Sequence, residues 1–316
     1  MTLILSDDSA GRHQTPAGHP ERPERYQAVT AAVAGSGLRV ENAPLASRDQ
    51  LALVHSERYL DMIFDTLEEQ DFSDNRLVQL DADTYAGPDS LEAALRGAGA
   101  ACLGVDKVMS GAEQSVFSAM RPPGHHAEPE RAMGFCLFSN AAIAAFHAAN
   151  KWQAKRVAVL DFDVHHGNGT QAAFWHEADF FYASSHQMPL YPGSGSAEER
   201  GAYNNILNVP LPEGTGGAAF LNSWREVLLP FIAEAECDLI ILSAGFDAHS
   251  RDPLGGLQIE AEDFAALTRD IVGLAAQTPA GGLISLLEGG YDLQGLQASV
   301  TAHLHALAPP SGQGRD

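Results

Sequence analysis

The feature that most limits how this chain can fold is a series of short apolar runs that do not alternate with polar residues. Residues 2–5, 115–117, 156–160, 180–184, 239–242 and 283–287 are each continuous enough in Val, Ile, Leu, Phe and Ala to be buried on both faces, the mark of strands in a parallel sheet covered by helices. Between them, residues 26–34, 91–109, 140–150, 217–234, 261–276 and 293–307 combine helical spacing with Ala, Leu and Glu content and predict helices. No repeat, low-complexity block or internal linker interrupts the alternation. The expectation is a single α/β domain over residues 1–308, with a mainly parallel central sheet flanked by helices, and a flexible tail over 309–316. At 316 residues and 45% hydrophobic content the chain can bury a substantial core.

Nineteen Lys and Arg against 41 Asp and Glu leave a formal charge of −22. That field repels phosphate backbones and anionic headgroups, so nucleic acid and membrane surfaces make poor partners; it would draw in a lysine-rich polypeptide or a polyamine, although the plainer reading of such a charge is simply a soluble acidic protein. The first residues lack a basic region, and no run approaches the roughly 18 uninterrupted apolar residues of a membrane span, which points to the cytoplasm. The three cysteines, Cys102, Cys136 and Cys237, are too scattered for a disulfide framework or a cysteine-based zinc knuckle. Any metal must be held by histidine and carboxylate. Nothing in the sequence speaks to oligomeric state.

In open α/β sheets the ligand binds at the carboxyl ends of the strands, and the residues just past the apolar runs are rich in chemistry. Asp163 and His165, two apart on an expected extended segment, project to one side; such a pair suits a divalent ion such as zinc, although a polar turn capping the next helix uses the same residue types. Asp247, past another run, adds a second carboxylate or serves as a helix N-cap. Three protein ligands leave a fourth position for water, the arrangement of a catalytic rather than a structural site. Arg121-Pro-Pro-Gly-His125-His126 presents two imidazoles on a rigid turn, able to move protons or simply solvated. Glu288-Gly-Gly-Tyr291 turns sharply and aims a phenol either inward, where it can donate to a carbonyl gaining negative charge, or into ordinary rim packing. Taken together, these groups fit metal-assisted amide hydrolysis.

With residues 121–127, 161–169, 243–247 and 288–291 in this order, the chain resembles the zinc-dependent histone deacetylase family, in its bacterial class II-like branch of histone deacetylase-like amidohydrolases. The similarity runs from His19-Pro-Glu-Arg-Pro-Glu-Arg25 to Tyr291. It implies the arginase/deacetylase fold and hydrolysis of N-acetyl amides, typically acetyl-lysine in a peptide or protein, to amine and acetate. By position, Asp163, His165 and Asp247 would bind one Zn²⁺, His126 would be the base, His125 a second, charged imidazole, and Tyr291 the clamp on the acetyl carbonyl. Asp161 would orient His125 and, with Ser184 and nearby carbonyls, hold a structural K⁺.

Asn168 stands where class I relatives place an aspartate, which makes His126 less basic. Gly134, Phe135 and Tyr191 match the walls of the substrate tunnel. Leu254 falls where polyamine-specific relatives carry a glutamate, favouring acetyl-lysine over acetylpolyamines. Asp83 matches a rim residue that accepts substrate amides, and Arg25 one near the inner acetate cavity; a surface acid and a helix-start arginine are the plainer readings of these two.

Residues 167–172, Gly-Asn-Gly-Thr-Gln-Ala, imitate a dinucleotide fingerprint, but Asp161 and Asp163 would then face the pyrophosphate. No Gly-x-Ser-x-Gly, phosphate loop or His-Glu-x-x-His occurs. A dimetal ureohydrolase would need further carboxylates around the Asp163 and Asp247 loops. A non-catalytic acyl-lysine reader would have no need for the complete set of ligands, histidines and phenol. The other histidines are expected to be structural or on the surface; His249, two residues past Asp247, either lines the rim or, as most loop histidines do, serves no specific role.

Overall fold

Each of the six apolar runs becomes a strand of one parallel sheet. The computed structural model describes residues 1–70, 72 and 76–308. Its strands are, in chain order, β1 (Thr2–Ser6), β2 (Arg39–Asn42), β3 (Val78–Gln79), β4 (Tyr85–Ala86), β5 (Ser115–Ser118), β6 (Val157–Asp161), β7 (Phe180–Gln187), β8 (Ile206–Leu211), β9 (Leu239–Ala244) and β10 (Leu283–Leu287). The sheet order is β2-β1-β5-β10-β9-β6-β7-β8, and β3 with β4 forms a separate antiparallel pair.

Alternate residues of the central strands feed two different apolar clusters, which is why those strands carry no polar face. Val157 and Val159 of β6 pack with Ile241, Ile284 and the alanines of the helix Asn140–Trp152, whereas Ala158 and Leu160 pack on the opposite side with Ile240, Leu242 and Phe264. Leu160 is fully buried, and truncating it to Ala would cost about 2–5 kcal/mol. Helices Ser90–Met109 and Asn140–Trp152 cover the first face; Glu24–Ser36, Ala261–Ala275 and Leu293–Leu307 cover the second. Leu293–Leu307 begins immediately after the Tyr291 turn, where Asp292 caps it by accepting Gly295 N at 2.7 Å.

Several elements differ from expectation. Strands β2 and β8 and the helix Glu57–Glu68 were not anticipated. The stretch 217–234 is not one regular helix: Gly217–Ser223 passes through a π turn, Trp224–Leu228, into Leu229–Glu234. Pro230 lies just past the irregularity, and its ring cannot coexist with an unaltered i−4 carbonyl ladder; Leu229 N–H instead reaches Trp224 O. The tail expected over residues 309–316 lies outside the described residues. No helix among the described residues is long and apolar enough to cross a membrane.

Candidate active site

Strand β6 ends at Asp161, between Ser184 of β7 and Ser243 of β9 in register. Beyond it the chain bends rather than continuing extended as the spacing suggested. Asp163 N donates to Asp161 Oδ1 at 3.1 Å and His165 N to Asp163 Oδ1 at 2.9 Å, and these two-residue side-chain bonds fold the segment. The bend therefore brings Asp163 and His165 together, where the strand pleat was expected to. The loop after β9 delivers Asp247, so that His165 Nδ1 lies 3.1 Å from both Asp163 Oδ1 and Asp247 Oδ2. One ligand atom from each residue falls within 4.8 Å of the others, and all three side chains are buried. A Cβ on Gly245 would strike Asp163, and one on Gly289 would strike both carboxylates, so these glycines are what allow the loops to close on the cluster.

The charge balance of this cluster favours a cation. No Lys or Arg forms an ion pair with Asp163 or Asp247 among the described residues. Their remaining oxygens accept Val164 N at 2.9 Å and Gly289 N at 2.8 Å, and the charged His125 ring lies 3.8 Å from Asp163 Oδ2. Burial, reinforced by the charge of Asp163, pushes the Asp247 carboxyl up to about 7. Two buried carboxylates facing each other are expensive unless a cation lies between them. Two carboxylate oxygens and one imidazole nitrogen form a donor set that suits zinc and leaves a fourth direction open.

The turn after β5 carries the two histidines. Glu288, at the end of β10, accepts Gly124 N at 2.6 Å and His125 N at 3.2 Å on one oxygen and Ser243 Oγ at 3.0 Å on the other, so one carboxylate joins three strand ends. His125 Nδ1 donates to Asp161 Oδ2 at 3.0 Å, which also accepts Tyr182 OH at 3.0 Å. Burial opposes charge on His125, but Asp163 and Asp161 outweigh it and hold its pKa well above the ordinary histidine value. Its neighbour behaves oppositely. Burial, then the positive field of His125, holds His126 well below that value. Asn168 Nδ2 donates to Glu128 Oε1 at 2.9 Å, which turns Asn168 Oδ1 towards His126 Nδ1 at 2.8 Å. That contact places the His126 proton on Nδ1 and leaves Nε2 as a free base. The two rings lie 4.0 Å apart, one charged and one neutral.

Across the cluster, Tyr291 is buried, and burial raises its phenol well above the ordinary value. It stays a proton donor. Arg25 Cζ lies 4.8 Å from its ring centroid, and Phe135 meets the ring edge-on at 5.8 Å.

A family model for the histone deacetylase domain matches residues 19–307. The chain belongs to the histone deacetylase family. As a member it is a hydrolytic deacetylase. It is 38% identical to "Histone deacetylase 10, chloroplastic" of Oryza sativa over 98% of this chain and 74% of that protein. It is also 38% identical to the histone deacetylase-like amidohydrolase of Pseudomonas aeruginosa over 87% of this chain and 73% of that one. The crystal structure of the HDA15 HD domain superposes with a TM-score of 0.88 at 33% identity, covering 97% of this chain and 89% of that one.

In this histone deacetylase fold the other residues singled out from the sequence fall as follows. Phe135 and Tyr191 flank the cluster from two sides: Phe135 packs on Tyr291, while Tyr191, 37% exposed, meets His126 at 5.1 Å and His165 at 6.3 Å. Gly134 has φ +55°, and a Cβ there would collide with the His126 ring. Leu254 is half-buried on the loop after Asp247. Asp83 Oδ1 accepts Gly134 N at 3.2 Å. Arg25 is fully buried, donating to Gly290 O at 2.6 Å, Glu288 O at 2.5 Å and Glu21 Oε1 at 2.9 Å.

Ser184 lies opposite Asp161 in register. His186 Nε2 donates to Gly195 O, so its Nδ1 accepts the Ser184 hydroxyl proton at 2.9 Å. Gly167 and Gly169, which mimic a dinucleotide motif, are instead needed for close packing on Asp161 and on the backbone at Ala127.

Sequence reasoning missed the roles of Glu288, Tyr182, Glu21 and Asp252. Tyr182 sits inside β7, where an aromatic reads as core. Glu21 accepts both forks of the buried Arg121 at 2.6 Å. The acid of the Glu288-Gly-Gly-Tyr291 motif, lying at a strand end, was the one readable signal.

Proposed function

We propose that this deacetylase removes acetyl or related acyl groups from N-acetyl-lysine side chains in a zinc-dependent reaction. The observation that carries the proposal is the convergence of Asp163, His165 and Asp247 within 4.8 Å, with a neutral imidazole and a protonated phenol on the same cluster. Zinc held by these three residues would polarise the amide carbonyl and acidify water. His126, through Nε2, takes the proton of the attacking water while Asn168 holds Nδ1. Tyr291 donates a hydrogen bond to the carbonyl oxygen as it gains negative charge. His125, kept charged by Asp163 and Asp161, adds positive charge beside His126. As the C–N bond breaks, a protonated histidine of the pair gives its proton to the departing amine, leaving acetate. Phe135 and Tyr191 offer apolar walls to the lysine stem, which needs only burial.

Leu254 brings no charge to recognise the inner ammonium of a polyamine, which supports acyl-lysine over acetylpolyamines. Asp161 and Ser184 stand opposite each other at adjacent strand ends, in keeping with the potassium ion that the family resemblance implies. Three free, buried cysteines fit a reducing compartment such as the cytoplasm. The test is to offer metal-quantified protein acetyl-lysine peptides, acetylpolyamines and small acetylated amines side by side, reading acetate release. The peptides should be turned over fastest; release confined to acetylpolyamines would overturn the assignment.

A further inference from the structure

Tyr291 follows two glycines, and Gly290 has φ +126°, so the covalent geometry of the turn does not fix where the phenol points. Its direction comes from bonds to the backbone on either side. Upstream, Arg25 holds Gly290 O, and Gly289 N donates to Asp163 Oδ2 at 2.8 Å. Downstream, the backbone N–H groups of Tyr291 and Asp292 both donate to Asp252 Oδ2, at 2.6 and 3.2 Å. The other oxygen, Asp252 Oδ1, accepts Leu254 N at 3.0 Å. Asp252 is 7% exposed and lies on the loop that begins with Asp247. One buried carboxylate therefore ties the turn that bears the phenol to the loop that bears Leu254.

We propose that Asp252 is a positioning residue for the hydrolysis, aiming Tyr291 at the acyl carbonyl and holding Leu254 in place with the same carboxylate. The proposal rests on the deacetylase reading above. A second tie between these loops runs through Arg251, which donates to Asp292 Oδ1 at 3.0 Å and Gln294 Oε1 at 2.8 Å. Its side chain is 54% exposed, and a surface pair of this kind holds a loop weakly. Arg251 is thus the natural control: it joins the same segments without touching the Tyr291 backbone.

The test is a double-mutant cycle on kcat with an acetyl-lysine peptide, read together with amide hydrogen exchange. Asp252→Ala should lower kcat by roughly 10- to 100-fold, the scale of an ångström-level misplacement. In a Tyr291→Phe background the same change should cost less than about threefold, because the group it positions is already gone. Exchange in the segment 289–295 should quicken in Asp252→Ala while β10 stays protected. Arg251→Ala should leave kcat unchanged. Asp252→Asn keeps an oxygen for Tyr291 N and Asp292 N but turns an amide towards Leu254 N. It should therefore recover most of kcat while changing the preference between acetyl-lysine peptide and acetylpolyamine.

Equal losses in the two backgrounds, or unaltered exchange at 289–295, would overturn the proposal. If Asp252→Ala does not fold, Asp252→Ser, whose single short hydroxyl cannot span both loops, carries the cycle, and an equal kcat loss with and without the Tyr291 hydroxyl overturns it there. Wild-type protein that releases no acetate would sink the functional reading instead, and the exchange measurement would still decide whether Asp252 holds the turn.

Discussion

His126 donates from Nδ1 to the neutral amide oxygen of Asn168 across 2.8 Å, while the adjacent His125 donates to the carboxylate of Asp161 across 3.0 Å. Burial and the charge of His125 keep His126 neutral, whereas Asp163 and Asp161 keep His125 charged, which divides the pair into a neutral base and a charged neighbour. A base works only above its own pKa, so the depressed His126 value places the acid limb of kcat/KM below the ordinary histidine range. Asn168→Asp would favour imidazolium and move that limb to higher pH, by about one unit, or about 1.4 kcal/mol. The new carboxylate would face Glu128, so the double variant Asn168→Asp/Glu128→Gln isolates the effect. A pH–rate profile checks it, and an unmoved limb would remove His126 from the role of base.

Tyr291→Phe deletes the hydroxyl and little else, since the ring keeps its contacts with Phe135 and Arg25. Turnover should fall by roughly 10²–10³, as for loss of one donor to a developing oxyanion, with metal content unchanged. Steady-state kinetics beside elemental analysis reads both. Unchanged kcat would remove the phenol from the reaction.

Gly134→Ala places a methyl group against the His126 ring at a backbone φ of +55°. The conformational cost is only about 1–2 kcal/mol, so the protein should fold. Displacement of the base should lower kcat by roughly 10- to 100-fold. Thermal unfolding and kcat measured on one preparation separate the two effects; full activity would mean that the loop yields instead of the histidine.

Buried histidines make the fold sensitive to acid. His303 is held neutral between Thr268 and Ser285: Thr268 Oγ1 donates to Phe264 O, so it accepts His303 Nδ1, and Ser285 donates to Nε2. Burial pushes this residue down to about 3 and His55 down to about 4. A histidine with a depressed folded pKa is protonated more readily in the unfolded chain. Its stabilisation is complete above about 6.5 and declines as pH falls from there towards the folded value. Between pH 6.5 and 5 each should therefore lose about 2 kcal/mol. Denaturant midpoints measured over this range should fall less steeply in His55→Gln and His303→Gln than in wild type; equal slopes would show that these groups do not titrate with unfolding.

What could be read from the sequence followed from burial on two faces. The strands β5, β6, β9 and β10 are buried along their whole length and announce themselves as unbroken apolar runs. β2, Arg-Val-Glu-Asn, is mostly exposed at the sheet edge, and β8 is interrupted by Asn208 and Pro210, which an edge strand tolerates; neither has a pattern to detect. The same logic applies at the site. Asp163, His165, Asp247, His125, His126 and Tyr291 stand just past apolar runs, so their placement at one sheet edge followed from topology. Glu288 and Asp252 act by accepting backbone N–H groups from distant loops, a relationship that exists only once those loops are folded together. The bend at Asp163–His165 was hidden for the same reason, because it is made by side-chain bonds to the backbone rather than by strand geometry.

The claim on which the rest depends is that Asp163, His165 and Asp247 together hold one catalytic ion. Metal content per chain, measured for wild type and Asp247→Ala alongside acetate release from an acetyl-lysine peptide, tests it most directly. The expected result is one zinc per wild-type chain, with metal and activity lost together in the variant. A metal-free variant that still releases acetate, or two ions per wild-type chain, would contradict it.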